Sequence, residues 1–230
     1  MRRAFSLLAV LAFGVIFAGL VSDYGERQTL SALAVHYLTQ VPADLGAPNV
    51  VTGILITFRG FDTLGEVAVL FMVAASVGLL LASEADDKSF SKPVGVTQGP
   101  SELVRNGAEV VLPLIFLFGA YVIMNGHLSA GGGFQGGAVV ASGVMLLMLA
   151  YPSGPIHHAF LSITESLAGV FYVSLGIVGI VFGGGFLDSH ILPRGSFGTL
   201  FSAGAIPLIS ALLGIKVGAE LSVIIDRFRS

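Results

Sequence analysis

Gly126-His127-Leu128-Ser129-Ala130-Gly131-Gly132-Gly133-Phe134-Gln135-Gly136-Gly137 joins two apolar runs, 105–125 and 134–151, and overlaps the second. Each run has about the length that a helix needs to cross a hydrocarbon layer of about 30 Å. The connection between them carries one titratable side chain, His127. Glycine leaves backbone amides and carbonyls unshielded, so other groups can approach closely. Between two membrane helices, such a stretch serves tight packing, an ion or a water path.

The rest of the chain agrees with a bilayer setting. Of 230 residues, 54% are hydrophobic and only 11% charged, with a mean hydropathy of +0.91. Soluble domains carry about a quarter charged residues. The formal net charge of −3 gives no reason to expect nucleic acid. The chain has no cysteine, which excludes disulfides, thiolate metal sites and cysteine-bound iron–sulfur clusters within it. With no tryptophan, anchoring at the membrane surface falls to tyrosine, arginine and lysine.

Apolar runs at 4–21, 62–82, 105–125, 134–151, 163–183 and 199–225 predict an all-α polytopic membrane bundle of about six transmembrane helices. Met1-Arg2-Arg3 and the run to Val21 share a signal peptide's charge pattern. The run is long for one and no Ala-x-Ala follows, so a retained first span is the better reading. Six spans place both termini on one side. Arg2, Arg3, Lys88, Lys92, Arg105, Arg227 and Arg229 then face inward and only Arg27, Arg59 and Arg194 outward, so the termini are expected in the cytoplasm and the protein in the cell membrane.

Val50–Phe58 is apolar but too short to cross alone. It is expected at the interface or as half of a helix broken near Gly60, which makes 49–60 a candidate broken or re-entrant segment. Broken helices are tolerated where they face protein or a water-filled cavity, and they often form ion sites. Leu30, Leu33, Tyr37 and Leu38 give a helical stripe in the outer loop 22–48, as in a surface-lying amphipathic helix. Residues 84–100 begin a polar stretch read as a cytoplasmic linker between a front unit, 1–83, and a four-helix rear unit, 101–230.

Charges inside apolar spans are functional candidates because they are costly to hold there. Arg59, Asp62 and Glu66 fall on one helical face. A carboxylate at Glu66 suits Na⁺ or a proton, although Thr63-x-x-Glu66 also has capping-box spacing. Arg105 and Glu109 precede Pro113, whose missing N–H leaves the Glu109 carbonyl free. Carboxylate and carbonyl oxygens suit a hard cation, and the plainer alternative is an Arg105–Glu109 ion pair. Lys216 lies deep in the last run with Glu220 one turn on, flanked by Gly214 and Gly218, so it faces the bundle. Such a lysine serves as a movable counter-charge or simply pairs with Glu220.

His127 suits proton relay or is an ordinary loop polar group. His157 and His158 are adjacent and make a poor metal pair. Glu165 follows Ser162 at capping-box spacing and reads as structural. Asp188, His190 and Arg194 read as solvated surface. Gly133-x-x-x-Gly137 and Gly179-x-x-x-Gly183 mean close packing. The glycine run lacks the Gly-Lys-Ser/Thr of a phosphate loop.

Residues 126–137 resemble the GH-x-x-PGGGF-x-GG signature of the MnhB subunit of Mrp-type Na⁺/H⁺ antiporters, with Ala130 in place of the proline. Gly204-Ala205-Ile206-Pro207-Leu208 and Gly214-Ile215-Lys216-Val217-Gly218 resemble the final helix of that MnhB-like protein. Asn49-Val50-Val51-Thr52 and Arg59-Gly60-Phe61-Asp62-Thr63-Leu64-Gly65-Glu66 look like the C-terminal, MbhE-like end of the large subunit of the same antiporters. The resemblance implies a fusion of the two units. The same pair is similar to parts of the Mrp-derived membrane modules of membrane-bound hydrogenases and sulfur-reducing relatives.

The resemblance implies a membrane subunit of a multisubunit Na⁺/H⁺ antiporter module that contributes to an ion path. Two alternatives stand: an ion-translocating subunit of a respiratory complex, or a non-conducting scaffold. The implied partners are other membrane subunits of such a complex, the lipid bilayer, Na⁺ and H⁺. Glu66 and Lys216 become first choices for the path, with Asp62, His127, Glu109 and Glu220 behind them. Arg59, Gly60, Gly131, Gly132, Gly133, Gly136, Gly137, Pro113 and Pro207 are expected to give structural support. No covalent catalysis, cofactor or resident metal is expected, beyond transient Na⁺ at Glu66.

Overall fold

A computed structural model describes residues 2–25, 28–87, 99–152 and 158–229, which form helices joined by turns. The helices are α1 (Arg2–Ser22), α2 (Ala32–Gln40), α3 (Val50–Gly53), α4 (Gly60–Asp87), α5 (Glu102–Met124), α6 (Gly133–Ala150), α7 (His158–Phe182) and α8 (Ile206–Arg229). The chain divides into two compact units, Met1–His36 and Tyr37–Ser230. In the first, α1 is apolar all round, as suits a helix surrounded by lipid or by other membrane helices.

In the second unit α8 is the central element. It packs against α4, α5, α6 and α7 and is the most buried of the long helices. Ile206, Ile209, Leu213 and Val217 form its core stripe, at the three- and four-residue spacing of one helical face. Small residues let the backbones approach. A Cβ on Gly133 would lie 2.5 Å from the Ser210 carbonyl oxygen, and one on Gly137 would lie 2.8 Å from that of Gly214. Gly136 would meet the Gly119 carbonyl oxygen at 2.9 Å, which sets the α5–α6 approach. Close approach through glycine is the usual device where lipid offers no hydrophobic drive to association.

Among the described residues, six helical stretches are long and apolar enough to cross a bilayer: Ala4–Ser22, Gly60–Leu81, Glu102–Met124, Gly133–Ala150, Phe160–Phe182 and Ile206–Phe228. The all-α, polytopic class expected from the sequence is therefore what the chain adopts, as a multi-pass membrane protein. One boundary moves. Residues 199–205, expected inside the last span, are turns, and α8 starts at Ile206 with Pro207 in its first turn, where a missing N–H costs nothing. Pro113 lies inside α5, which continues through it to Met124.

The Val50–Phe58 segment is helical, and it meets the helix ending at Leu45 at 82°, as in a broken span or re-entrant loop. α3 widens into a π-helical turn, Ile54–Phe58, closed by an i→i−5 bond from the Arg59 N–H to the Ile54 carbonyl at 2.8 Å. Arg59 leaves helical geometry and α4 begins at Gly60. The Thr63 hydroxyl then donates to the Leu55 carbonyl at 2.8 Å. A straight helix would separate those positions by about 12 Å, so the chain bends at Arg59. The stripe expected at 30–38 is helical from Ala32, and Tyr37 contacts Phe58 with ring centroids 5.4 Å apart.

Candidate functional site

The glycine connection is tied to the Val50–Phe58 segment by side chains that precede it. Asn49 Nδ2 donates to the carbonyls of Gly126 and Ser129, each at 2.7 Å. The Thr52 hydroxyl reaches the Gly126 carbonyl at 2.8 Å and the Gly131 carbonyl at 3.2 Å. The Asn49 N–H donates to the His127 carbonyl at 2.9 Å. Gly131 takes a φ of 137°, which a side chain would strain.

Below this tie lies a cavity of about 200 Å³, lined by Thr52, Thr63, Glu66, Gly131–Gly133, Gln135 and Leu213 among others. It brings Glu66, residues on both sides of the bend and the glycine connection to one place. The Glu66 side of α4 is exposed in the isolated chain. The capping-box reading of Thr63 and Glu66 does not hold: Thr63 is inside α4, and its hydroxyl is spent on Leu55. Arg59 and Asp62 form an exposed ion pair at the break. Gly60 lets the Phe186 carbonyl come within 3.2 Å of a would-be Cβ.

His127 is fully buried. Its Nε2–H donates to the Thr199 carbonyl at 3.3 Å, which anchors the turn before α8. Burial lowers its pKa below the ordinary 6.5, although backbone hydrogen bonds oppose the shift, so the imidazole is neutral at pH 7. It does not join Glu66 in the cavity lining. Glu109 also stands apart: its Oε1 accepts from Tyr151 Oη at 2.9 Å, at the exposed α5–α6 surface. Among the described residues, Glu109 pairs with Tyr151 and makes no ion pair with Arg105.

Lys216 is 6% exposed. Its Nζ lies 3.1 Å from Glu220 Oε2 and 3.3 Å from Glu165 Oε1, with the Phe71 ring centroid at 5.8 Å. Glu220 has no exposure, and its Oε1 has no hydrogen-bond partner among the described residues. The pairing with Glu220 follows the i,i+4 spacing. Glu165 is the residue whose sequence reading the structure corrects. α7 begins at His158, well before Ser162, so Glu165 is no helix-start device but a nearly buried carboxylate facing α8. Its signal is the apolar run that continues on both sides of it. Close to one helix turn past Gly169, Tyr172 is buried, its hydroxyl without a hydrogen-bond partner among the described residues, within electrostatic reach of Glu66.

The last loop also departs from expectation. Asp188 accepts from the Gly184 N–H at 2.6 Å and contacts His190 Nδ1 at 2.6 Å. His190 Nε2–H reaches the Asp44 carbonyl at 3.2 Å, and Arg194 bonds the Ala43 carbonyl at 3.0 Å. Burial would raise the Asp188 pKa, but these hydrogen bonds and the His190 charge outweigh it and hold it below the ordinary carboxylate value. The three residues are a clasp between loops, not free surface. Lys88, Lys92, most of 84–100 and His157 lie outside the described residues.

Residues 103–223 match the model of a domain related to the MnhB subunit of Na⁺/H⁺ antiporter. The chain belongs to the MnhB-related family. Residues 1–92 match a second family, that of the MbhE subunit of MBH. The MnhB-related chain is 28% identical to an uncharacterized protein of Methanocaldococcus jannaschii, over 94% of its own length and 88% of that protein's. It is 27% identical to a probable K⁺/H⁺ antiporter A/B subunit of Rhizobium meliloti, covering 98% of itself but only 25% of that protein. Among solved structures, it matches a chain of the membrane-bound sulfane sulfur reductase, an archaeal respiratory membrane complex. That match has a TM-score of 0.81 and 35% identity, over 99% of this chain and 97% of the other.

Proposed function

We propose that the chain is a membrane subunit of a multisubunit cation/proton exchange assembly, and that it supplies part of an ion path through Glu66 and Lys216. The observation that carries this reading is Lys216, held between two carboxylates in the middle of a membrane-length helix. A charge so placed is costly and marks ion or proton pathways more often than packing. Glu66 would accept the cation or proton in the cavity under the glycine connection, with Asp62 and Arg59 at the break beside it. Asp62 already pairs with Arg59, which makes it a helper rather than a second acceptor.

The front unit, 1–83, and the rear unit, 101–230, would be the two halves of this protein, joined by the linker, 84–100, with both termini in the cytoplasm. Its partners would be other membrane subunits. The test is transport by the assembly purified from its native membrane through a tag on this chain. Glu66→Gln keeps shape and removes charge, and sodium-dependent proton movement should fall sharply while the co-purifying subunits stay. Unchanged transport removes Glu66 from the path.

A second reading is ion translocation coupled to a respiratory redox enzyme. It is favoured by the match along 97% of a chain from the sulfur reductase complex, against a quarter of the antiporter protein. Co-purification of redox-enzyme subunits with the tagged chain decides for it. A non-conducting scaffold predicts instead that neutralising Glu66, Lys216 and Glu109 leaves transport intact.

A further inference from the structure

Away from Glu66, the charges around Lys216 open onto a groove between α4, α7 and α8. Two cavities of about 410 and 350 Å³ lie there. Phe71, Glu165 and Ser166 line both, so the two are neighbouring chambers of one groove. Lys216 lines the first chamber and Arg227 the second. Glu165 is thus the carboxylate common to both ends.

The groove is long, and polar groups are spaced along a lining that is otherwise apolar. On α7, Ser162, Glu165, Ser166, Gly169 and Ser174 line it, and the helix rises about 18 Å between the first and last of these. That is more than half of a hydrocarbon layer of about 30 Å. α4 contributes Phe71, Ala74 and Ala75. Lipid tails cannot solvate an ammonium and a carboxylate, and each unsatisfied polar group in hydrocarbon is heavily penalised. Water can, since each molecule takes about 30 Å³ of liquid volume and needs two to four polar partners. The serines, Glu165, Lys216 and Arg227 provide them.

We propose that this groove is a water-filled half-channel leading from the Arg227 end to Lys216, and that Glu165 is its proton-loading site. The proposal rests on the reading that the chain carries an ion path, but on residues other than Glu66. A hydronium arriving along the groove gives its proton to Glu165 Oε1 and leaves as water. Neutral Glu165 releases Lys216, whose ammonium keeps Glu220. The reverse step returns the proton to groove water. Among the described residues, the charged groups facing Glu165 come from α8: Lys216, Glu220 and Arg227. The α4 lining residues carry none.

The experiment uses the native assembly, purified through a tag on this chain and reconstituted in liposomes. A trapped pH dye reads proton flux under an imposed sodium gradient, and subunit content is read from gels. Glu165→Gln should lower proton flux about tenfold or more, and Glu165→Asp should recover part of it. Ser166→Leu changes no charge and lies at an exposed position, yet narrows both chambers, so it should also lower flux several-fold. Wild-type flux in either Glu165→Gln or Ser166→Leu overturns the proposal. If Glu165→Gln fails to assemble, Ser166→Leu decides alone. Glu66→Gln is measured in parallel. Normal flux there with low flux in Glu165→Gln removes Glu66 and keeps the groove, and the opposite pattern does the reverse.

Discussion

Lys216 Nζ stands 3.3 Å from Oε1 of Glu165, 51 positions back along the chain, and this contact joins α7 to α8 inside the bundle. With Glu220 it makes a buried three-member cluster of one cation and two carboxylates. The formal excess of one negative charge is costly to hold within a membrane bundle, which gives Lys216 a larger role than either carboxylate.

Lys216→Ala should therefore destabilise the assembly strongly. It takes the shared cation from two carboxylates in the bundle interior, and removing one partner from a buried pair costs about 3–5 kcal/mol. The thermal denaturation midpoint of the purified complex should fall. Combining Lys216→Ala with Glu220→Gln should restore part of the loss, because the second change removes a stranded charge. A double variant no better than the single would show that charge is not the cause.

Gly137→Val should break assembly. Its Cβ would meet the Gly214 carbonyl oxygen at 2.8 Å and Val217 Cβ at 2.9 Å, so α6 and α8 must separate. Gly107→Ala on α5 meets nothing within 4 Å, so it should leave assembly unharmed and stabilise its helix by about 0.5–1 kcal/mol. Yield of the intact complex distinguishes the two, and equal yields would contradict the packing described.

Thr52→Val keeps volume and removes the hydroxyl that two hairpin carbonyls accept from. The loss should be about 0.5–1.5 kcal/mol, the net worth of one hydrogen bond, since the Gly126 carbonyl keeps its bond from Asn49. Faster hydrogen exchange in 126–133, with little change in α7, is the expected signature.

His127 gives the hairpin a pH dependence. Burial lowers its pKa in the folded chain, while an unfolded chain protonates near 6.5. The folded state thus binds fewer protons below that value. Its stabilising contribution is complete above about pH 6.5 and is lost as pH falls toward the lowered value. Exchange protection at 126–133 should drop as pH falls from above that value to below it, and His127→Gln should flatten that drop.

The helices are legible because a membrane span is a statement about length and hydropathy, both of which a sequence displays. The pairing of Lys216 with Glu220 is legible for a similar reason, since both lie on one helix. Glu165 is not, because local spacing to Ser162 mimics a cap, and only the true start of α7 at His158 removes that reading. The bend at Arg59 is half visible as a short apolar segment. What stays hidden is the Thr63–Leu55 bond, which depends on a turn in space that no periodicity encodes. The loop clasp of Asp188, His190 and Arg194 is hidden likewise, because Arg194 finds its acceptors at Ala43 and Asp44, 151 and 150 positions away.

The bonds from Asn49 and Thr52 to the Gly126 and Gly131 carbonyls cross from the segment matching one family to the segment matching the other. Were the two segments separate polypeptides, each such bond would belong to a docking event limited by how often the two meet in the membrane. Carried on one ribosomal product, the pieces find each other at an effective concentration of order millimolar. Equal stoichiometry of the two is then guaranteed by translation itself, whatever the expression level or the crowding of the bilayer.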